Sequence, residues 1–234
     1  LGHRVSEEGI GPIPAYTEIV RKWPLPKTKT EARSFLGKVG YYRRFIKDYA
    51  KKAAPWTAII GSQQGEKDGK EPIAVSKEME MSFQVLKEAL LTAPILAYPQ
   101  FDGEPFILDT DWSQGNEAIG AVLSQRQEGK ERVICYGARK LTKSQVKYPP
   151  TKGELFAAMY FMKLWKYYLL HRHFILRTDH QSLKYVKTME APSGLITRWL
   201  ETLSNFDFEV QHRAGTKHGN ADGLSRAPHI EEKS

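Results

Sequence analysis

Cysteine is almost missing from this chain. Its 234 residues hold a single one, Cys135, inside the apolar VICY. One thiol excludes a disulfide within the chain and any multi-cysteine zinc site, and it suits a reducing compartment. No apolar run is long enough to span a bilayer as a helix, and no secretory signal pattern opens the chain. Internal repeats and low-complexity tracts are absent too, so solenoid and linker-like architectures are excluded. Acidic residues are outnumbered, 27 against 35 basic, for a net charge of +8 and a pI near 9.4. That balance favours an anionic partner, and nucleic acid is the favoured kind. What is present suffices for a packed core: 41% of residues are hydrophobic, over a length that suits one large domain or two small ones. The chain begins with Leu, and its first residues read as mid-domain, so it is expected to be a piece of a longer protein.

Residues 1–93 read as mainly helical. Pro12 and Pro14 precede AYTEIVRKW, a short amphipathic helix stopped by Pro24 and Pro26. Thr28 and Glu31 have capping-box spacing and open TEARSFLGKVGYYRRF, in which Phe35, Val39 and Tyr42 form an apolar stripe. Arg33, Tyr41, Arg43, Arg44 and Lys47 mix basic and aromatic side chains, a combination that suits a nucleic-acid backbone. A solvated face over core tyrosines is the plainer account. The polar, glycine-rich GSQQGEKDGKEP at 61–72 reads as an exposed loop. Ser76 then caps a helix with Phe83, Leu86 and Leu90 on one stripe, ended by Pro94. Residues 94–104 form a connector.

From 105 the pattern changes. FILDTDWSQGNEAIGAVLSQ, at 106–125, reads as a β-hairpin turning near Gly115. With a period of two, Asp109 and Asp111 share a face with Ile107. A buried carboxylate pair needs a compensating charge, which a divalent metal supplies. Then follow a strand at ERVICYGARKL, a helix over 151–170, a strand at RHFILRT, two helices (HQSLKYVK and LITRWLETLSNF), a strand at DFEVQHR and a short terminal helix at GNADGLSRA. That order predicts an α/β domain with a mixed sheet. Glu154 extends the apolar stripe Ala158, Phe161, Trp165, so a carboxylate heads toward the core. Asp179 lies at a strand-to-helix turn, where ligand groups gather. Asp222 lies in NADGLSR. Taken singly, each acid has a plainer role: a polar strand end, a first-turn acid or an N-cap.

Taken together, these strings resemble the pol polyprotein of gypsy-type LTR retrotransposons (Metaviridae) over almost the whole chain. LGHRVSEEGIGP and RSFLGKVGYYRRFIKDYAKKAAP resemble the end of a reverse transcriptase palm and its thumb. ILDTDWS…AIGAVLSQ, KYPPTKGELFA, RHFILRTDHQSLKYV and HRAGTKHGNADGLSR resemble the attached ribonuclease H domain. The resemblance implies an RNase H-like domain over 105–228, with a mixed five-stranded sheet and flanking helices. A small mainly helical thumb precedes it over 1–93, and a tail closes the chain at 229–234.

The resemblance further implies a metal-dependent endonuclease that hydrolyses the RNA strand of RNA–DNA hybrids. The implied metal ligands are Asp111, Glu154, Asp179 and Asp222. The family motif puts its acid directly after a Thr, which selects Asp111 and leaves Asp109 as a flanking acid. His212, ten residues before Asp222, matches a mobile catalytic His, with His218 as the nearer rival. The implied cofactor is a pair of Mg²⁺ ions, with Mn²⁺ as a substitute. The implied partners are the hybrid, a palm upstream and integrase downstream, with no membrane. The implied location is the cytoplasm or a virus-like particle, with the nucleus as an alternative. A non-catalytic nucleic-acid-binding module or a domesticated one is the competing reading. Three departures from the family pattern stand out. The hairpin turn SQGNEA is longer and follows Trp112 instead of a small residue. Gly153 stands where a helix former is common. The Tyr-x-Asp-Asp acids of a polymerase palm do not occur, so this stretch cannot polymerise DNA by itself.

Overall fold

The computed structural model describes residues 2–60, 72–178 and 194–212. A two-stranded hairpin, β1 (His3–Ser6) and β2 (Gly9–Pro12), opens it. Four helices follow: α1 (Pro14–Arg21), α2 (Lys29–Tyr41), α3 (Tyr49–Ile60) and α4 (Lys77–Leu91). A 3₁₀ turn at Arg43–Phe45 links α2 to α3. The caps are as the sequence predicts. The Thr28 hydroxyl accepts the Glu31 N–H at 3.2 Å, and the Ser76 hydroxyl accepts the Met79 N–H at 3.2 Å. Glu31 reaches back to the Lys27 N–H rather than to Thr28.

The core of this half is built from the expected stripes. Phe35, Val39 and Tyr42 are fully buried, as are Leu86 and Leu90, and Phe35 and Phe83 touch at 4.7 Å between ring centres. Two elements are missing from the sequence expectation. The β1–β2 hairpin is one; it is too short to show a period. The other is α3, which carries Pro55 internally, a residue that ordinarily breaks a helix. Burial offsets that cost: Ala53 and Trp56 are fully buried, and the Trp56 indole donates to the Met79 carbonyl at 3.0 Å.

The second half is a five-stranded mixed sheet. Its strands are β3 (Phe106–Ser113), β4 (Ala118–Gln127), β5 (Lys130–Lys140), β6 (His173–Thr178) and β7 (Asp207–His212), in the order β5-β4-β3-β6-β7. β3, β4 and β5 pair antiparallel, while β6 and β7 are parallel to β3. The β4–β5 turn places Glu128 and Gly129 at positive φ, 52° and 76°, as a two-residue hairpin requires. Helix α5 (Pro150–Leu164) lies across one face of the sheet, with α6 (Lys166–Leu169) and α7 (Gly194–Leu203) beside it. The helix expected over 151–170 is broken at Trp165, whose backbone leaves helical geometry, and α6 then turns Leu169 into the core. The expected helices at HQSLKYVK and GNADGLSRA, and loop residues 61–71, lie outside the described residues.

The two halves touch. Helix α3 packs on β4 and β5, the 3₁₀ turn packs on β5, and Val133 and Tyr136 join the helical core. The connector is pinned by two buried glutamines of β4. Gln125 accepts from the Gln100 N–H and donates to the carbonyls of Gln100 and Glu104; Gln127 donates to the Tyr98 carbonyl. Among the described residues, no helix is long and apolar enough to cross a membrane.

Candidate active site

Strand β3 alternates as its sequence dictates. Phe106, Leu108 and Trp112 face α5 within the apolar core. Ile107, Asp109 and Asp111 take the opposite face, as the period of two requires. The two acids then part company. Asp109 is half-buried, and the Arg177 guanidinium stands 3.8 Å from it and 2.8 Å from Glu131. It therefore sits in a charge network that no local pattern could foresee, since its partners lie on β5 and β6. Asp111 is exposed and lines a cleft of about 60 Å³ with Asp48, Lys51, Ser113, Asn116 and Gly120. Asp48 and Lys51 come from the start of α3, so the helical half supplies one wall of this cleft. No spacing in the sequence could have brought them to Asp111.

Glu154 is 4% exposed on the inner side of α5. Ala158, Phe161 and Trp165 are buried along with it. No acid occupies the first turn of α5, so the plainer role of a solvated helix-terminus carboxylate is excluded for Glu154. Its Oε1 accepts the backbone N–H of Trp112 at 3.1 Å. The β3–β6 pairing ends at Asp109↔Arg177, so β3 runs on past its neighbour. There the carboxylate of Glu154 meets the backbone next to Asp111. A buried carboxylate is stabilised by such a donor, and it is poised for further positive charge.

The parallel strands bring their carboxyl ends to the same edge of the sheet. β6 ends at Thr178, and β7 ends at His212, which is paired with Thr178. His212 is therefore delivered to this end, and it is exposed. Asp179 follows Thr178 directly in the sequence, but Asp179, Asp222 and His218 lie outside the described residues. Among the described residues no three potential ligands cluster. The donor set is nevertheless carboxylate oxygen throughout, which fits a hard divalent ion such as Mg²⁺.

The five basic and aromatic residues of the helical half separate. Tyr41 and Arg43 are exposed, with Tyr41 stacked on His3 at 5.4 Å. Arg33, Arg44 and Lys47 are half-buried. Arg44 turns inward with its guanidinium over the Phe45 ring at 5.9 Å; burial lowers the pKa of His3, and the Arg44 charge lowers it further. Cys135 is buried and its thiol is pushed up to about 12, chiefly by burial, so it stays a neutral core residue.

Comparison with known proteins agrees with the fold. The family described as "RNase H-like domain found in reverse transcriptase" matches residues 102–206. A retrovirus-related Pol polyprotein from transposon 297 of Drosophila melanogaster is 35% identical over 97% of this chain and 20% of its own length. The corresponding polyprotein from transposon opus, also of Drosophila melanogaster, is 34% identical over 97% of this chain and 23% of its own. The chain thus spans about a fifth of the curated relatives it matches. A foamy viral protease-reverse transcriptase in complex with an RNA/DNA hybrid shares the fold with a TM-score of 0.72. That match has 17% identity and covers all of this chain and 31% of the viral one. Residues 102–206 therefore belong to the RNase H-like domains of reverse transcriptases, and the chain over nearly its whole length is a relative of LTR retrotransposon Pol polyproteins.

Proposed function

We propose that this chain is the ribonuclease H part of a retrotransposon reverse transcriptase, an endonuclease that hydrolyses the RNA strand of RNA–DNA hybrids. The observation that carries the reading is Glu154, a carboxylate only 4% exposed and anchored on the backbone beside Asp111 at the strand ends. Asp111, Glu154, Asp179 and Asp222 would hold two Mg²⁺ ions (Mn²⁺ as a substitute), which when bound supply a polarised water and charge stabilisation for the leaving 3′ oxygen. The chain's own residues do the rest. Glu154 is held rigid by burial, and Asp111 opens to the cleft from which a phosphate would approach. His212, exposed at the end of β7, would serve as the catalytic His that assists departure of the leaving group. Exposed Arg43 and Tyr41 would hold the hybrid by its backbone, and RNA would be told from DNA by 2′-hydroxyl contacts and helix shape. The native context would be a Pol polyprotein with a palm before this stretch and integrase after it, in the cytoplasm, a virus-like particle or the nucleus.

The test is cleavage of a hybrid with labelled RNA in Mg²⁺. Products with 5′-phosphate and 3′-hydroxyl ends are expected, together with loss of cleavage in Glu154→Gln. Salt-dependent hybrid binding without cleavage would make the chain a binding module instead.

A further inference from the structure

Two departures from the family pattern, at Trp112 and Gly153, lie far apart in the sequence and meet in the fold. A Cβ built on Gly153 would stand 2.3 and 2.4 Å from Cδ2 and Cε2 of the Trp112 indole. Side-chain carbons never approach that closely, so the ring occupies the volume any other residue at 153 would need. Trp112 is 8% exposed and belongs to the apolar core, so it has little room to retreat. Its indole N–H is buried without an acceptor among the described residues. Shape, and not hydrogen bonding, therefore seats the ring.

The same tryptophan touches Glu154 in a second way, since its backbone N–H donates to Glu154 Oε1. Its ring thus presses on residue 153 while its backbone holds the carboxylate of residue 154. The Gly153 N–H bonds to the Pro149 carbonyl at 2.9 Å, so the glycine is already in helical geometry and its helix cost is accepted in place.

We infer that Trp112 and Gly153 are a fitted pair that sets the height of α5 over β3 and thereby positions the Glu154 carboxylate. Trp112 is a positioning residue, acting through Glu154. The inference rests on the nuclease reading above. It explains why a bulky residue follows Asp111 in a chain that also carries glycine in α5: the glycine leaves the space that the indole fills.

The test uses the full chain and four variants: Gly153→Ala, Trp112→Ala, the double variant, and Gly37→Ala as control. Gly37 also lies within a helix, but a Cβ there meets nothing within 4 Å. Mn²⁺ alone is titrated by electron paramagnetic resonance, and kcat and KM for hybrid cleavage are measured in parallel. Gly153→Ala should weaken Mn²⁺ binding about tenfold, the range found when a group bracing a metal ligand is lost. It should lower kcat while leaving KM for the hybrid unchanged. The double variant should recover Mn²⁺ affinity to within about threefold of the parent, because the clash is gone. Gly37→Ala should bind Mn²⁺ as the parent does. If Gly153→Ala fails to fold while the double variant folds and binds Mn²⁺, the pairing is equally supported. Unchanged Mn²⁺ affinity in Gly153→Ala, or a double variant no better than Gly153→Ala, overturns the pairing and leaves the nuclease reading intact. A parent chain that neither binds Mn²⁺ nor cleaves hybrid overturns both.

Discussion

The helical half and the sheet half treat polar groups differently. In the helices of residues 14–91 the core is apolar almost throughout; among the described residues Ser82 is its only buried side chain classed as polar. In the sheet half, Thr110, Ser124, Gln125, Gln127, Glu154 and Thr178 are all buried. Burying a polar group costs stability unless a partner is supplied. The helical half avoids that cost and reads as a packed support. The sheet half accepts it repeatedly, for two separable purposes. Gln125 and Gln127 tie down the connector, whereas Glu154 is a carboxylate held by the Trp112 N–H at the strand ends. Function, on this view, resides where the core tolerates charge.

Removing charge from the sheet half should have the largest effect. Asp111→Asn should abolish cleavage, with a loss above about 100-fold, since even groups that only brace a metal ligand cost 10–100-fold. Circular dichroism should show an unchanged fold. Asp109→Asn should keep activity and lose about 1 kcal/mol of stability at most, because Arg177 retains Glu131. If the Asp109 variant is the inactive one, the carboxylates have been assigned in reverse.

A cavity in the helical core should do the opposite. Phe35→Ala removes a fully buried ring and should cost about 3–5 kcal/mol in a urea titration, with kcat per folded molecule unchanged. A fall in kcat to match would show that the helical half shapes the chemistry directly.

Gln125→Ala leaves the polar groups of Gln100 and Glu104 without their partner. It should cost about 1–3 kcal/mol, read as a lower urea midpoint. Proteolysis should then cut first near the connector.

Smaller again is the effect of Arg43→Gln on hybrid affinity. If Arg43 meets a phosphate, the slope of log K against log salt should flatten by about 0.7–0.9. An unchanged slope would return Arg43 to plain solvated surface. The least visible effect concerns Cys135. With its thiol pushed up to about 12, it should resist iodoacetamide at pH 8 in the native chain and react fully in urea. Ready native alkylation would mean that the β5 face of the sheet opens far more often than its burial implies.

Much of this molecule was legible from local pattern. Capping residues placed the starts of α2 and α4, and apolar stripes named the core of the helical half. The period of two put Asp109 and Asp111 on one face. Each signal works because backbone geometry fixes which neighbours along the chain share a side. The alternation could not separate Asp109 from Asp111, because an identical face assignment says nothing about what arrives from elsewhere. The family motif chose between them, and the fold then gave Asp109 an arginine from β6 and left Asp111 open to a cleft.

Contacts between distant segments settled the rest. α3 forms despite Pro55 because Trp56 and Ala53 find a core to enter. Asp48 and Lys51 reach the Asp111 cleft because α3 packs on β4. Trp112 and Gly153 each looked like a lone departure, one a bulky residue in a hairpin and the other a weak helix former. Their complementarity exists only where α5 crosses β3, since the sequence records volume at each position but not which two volumes must share one space.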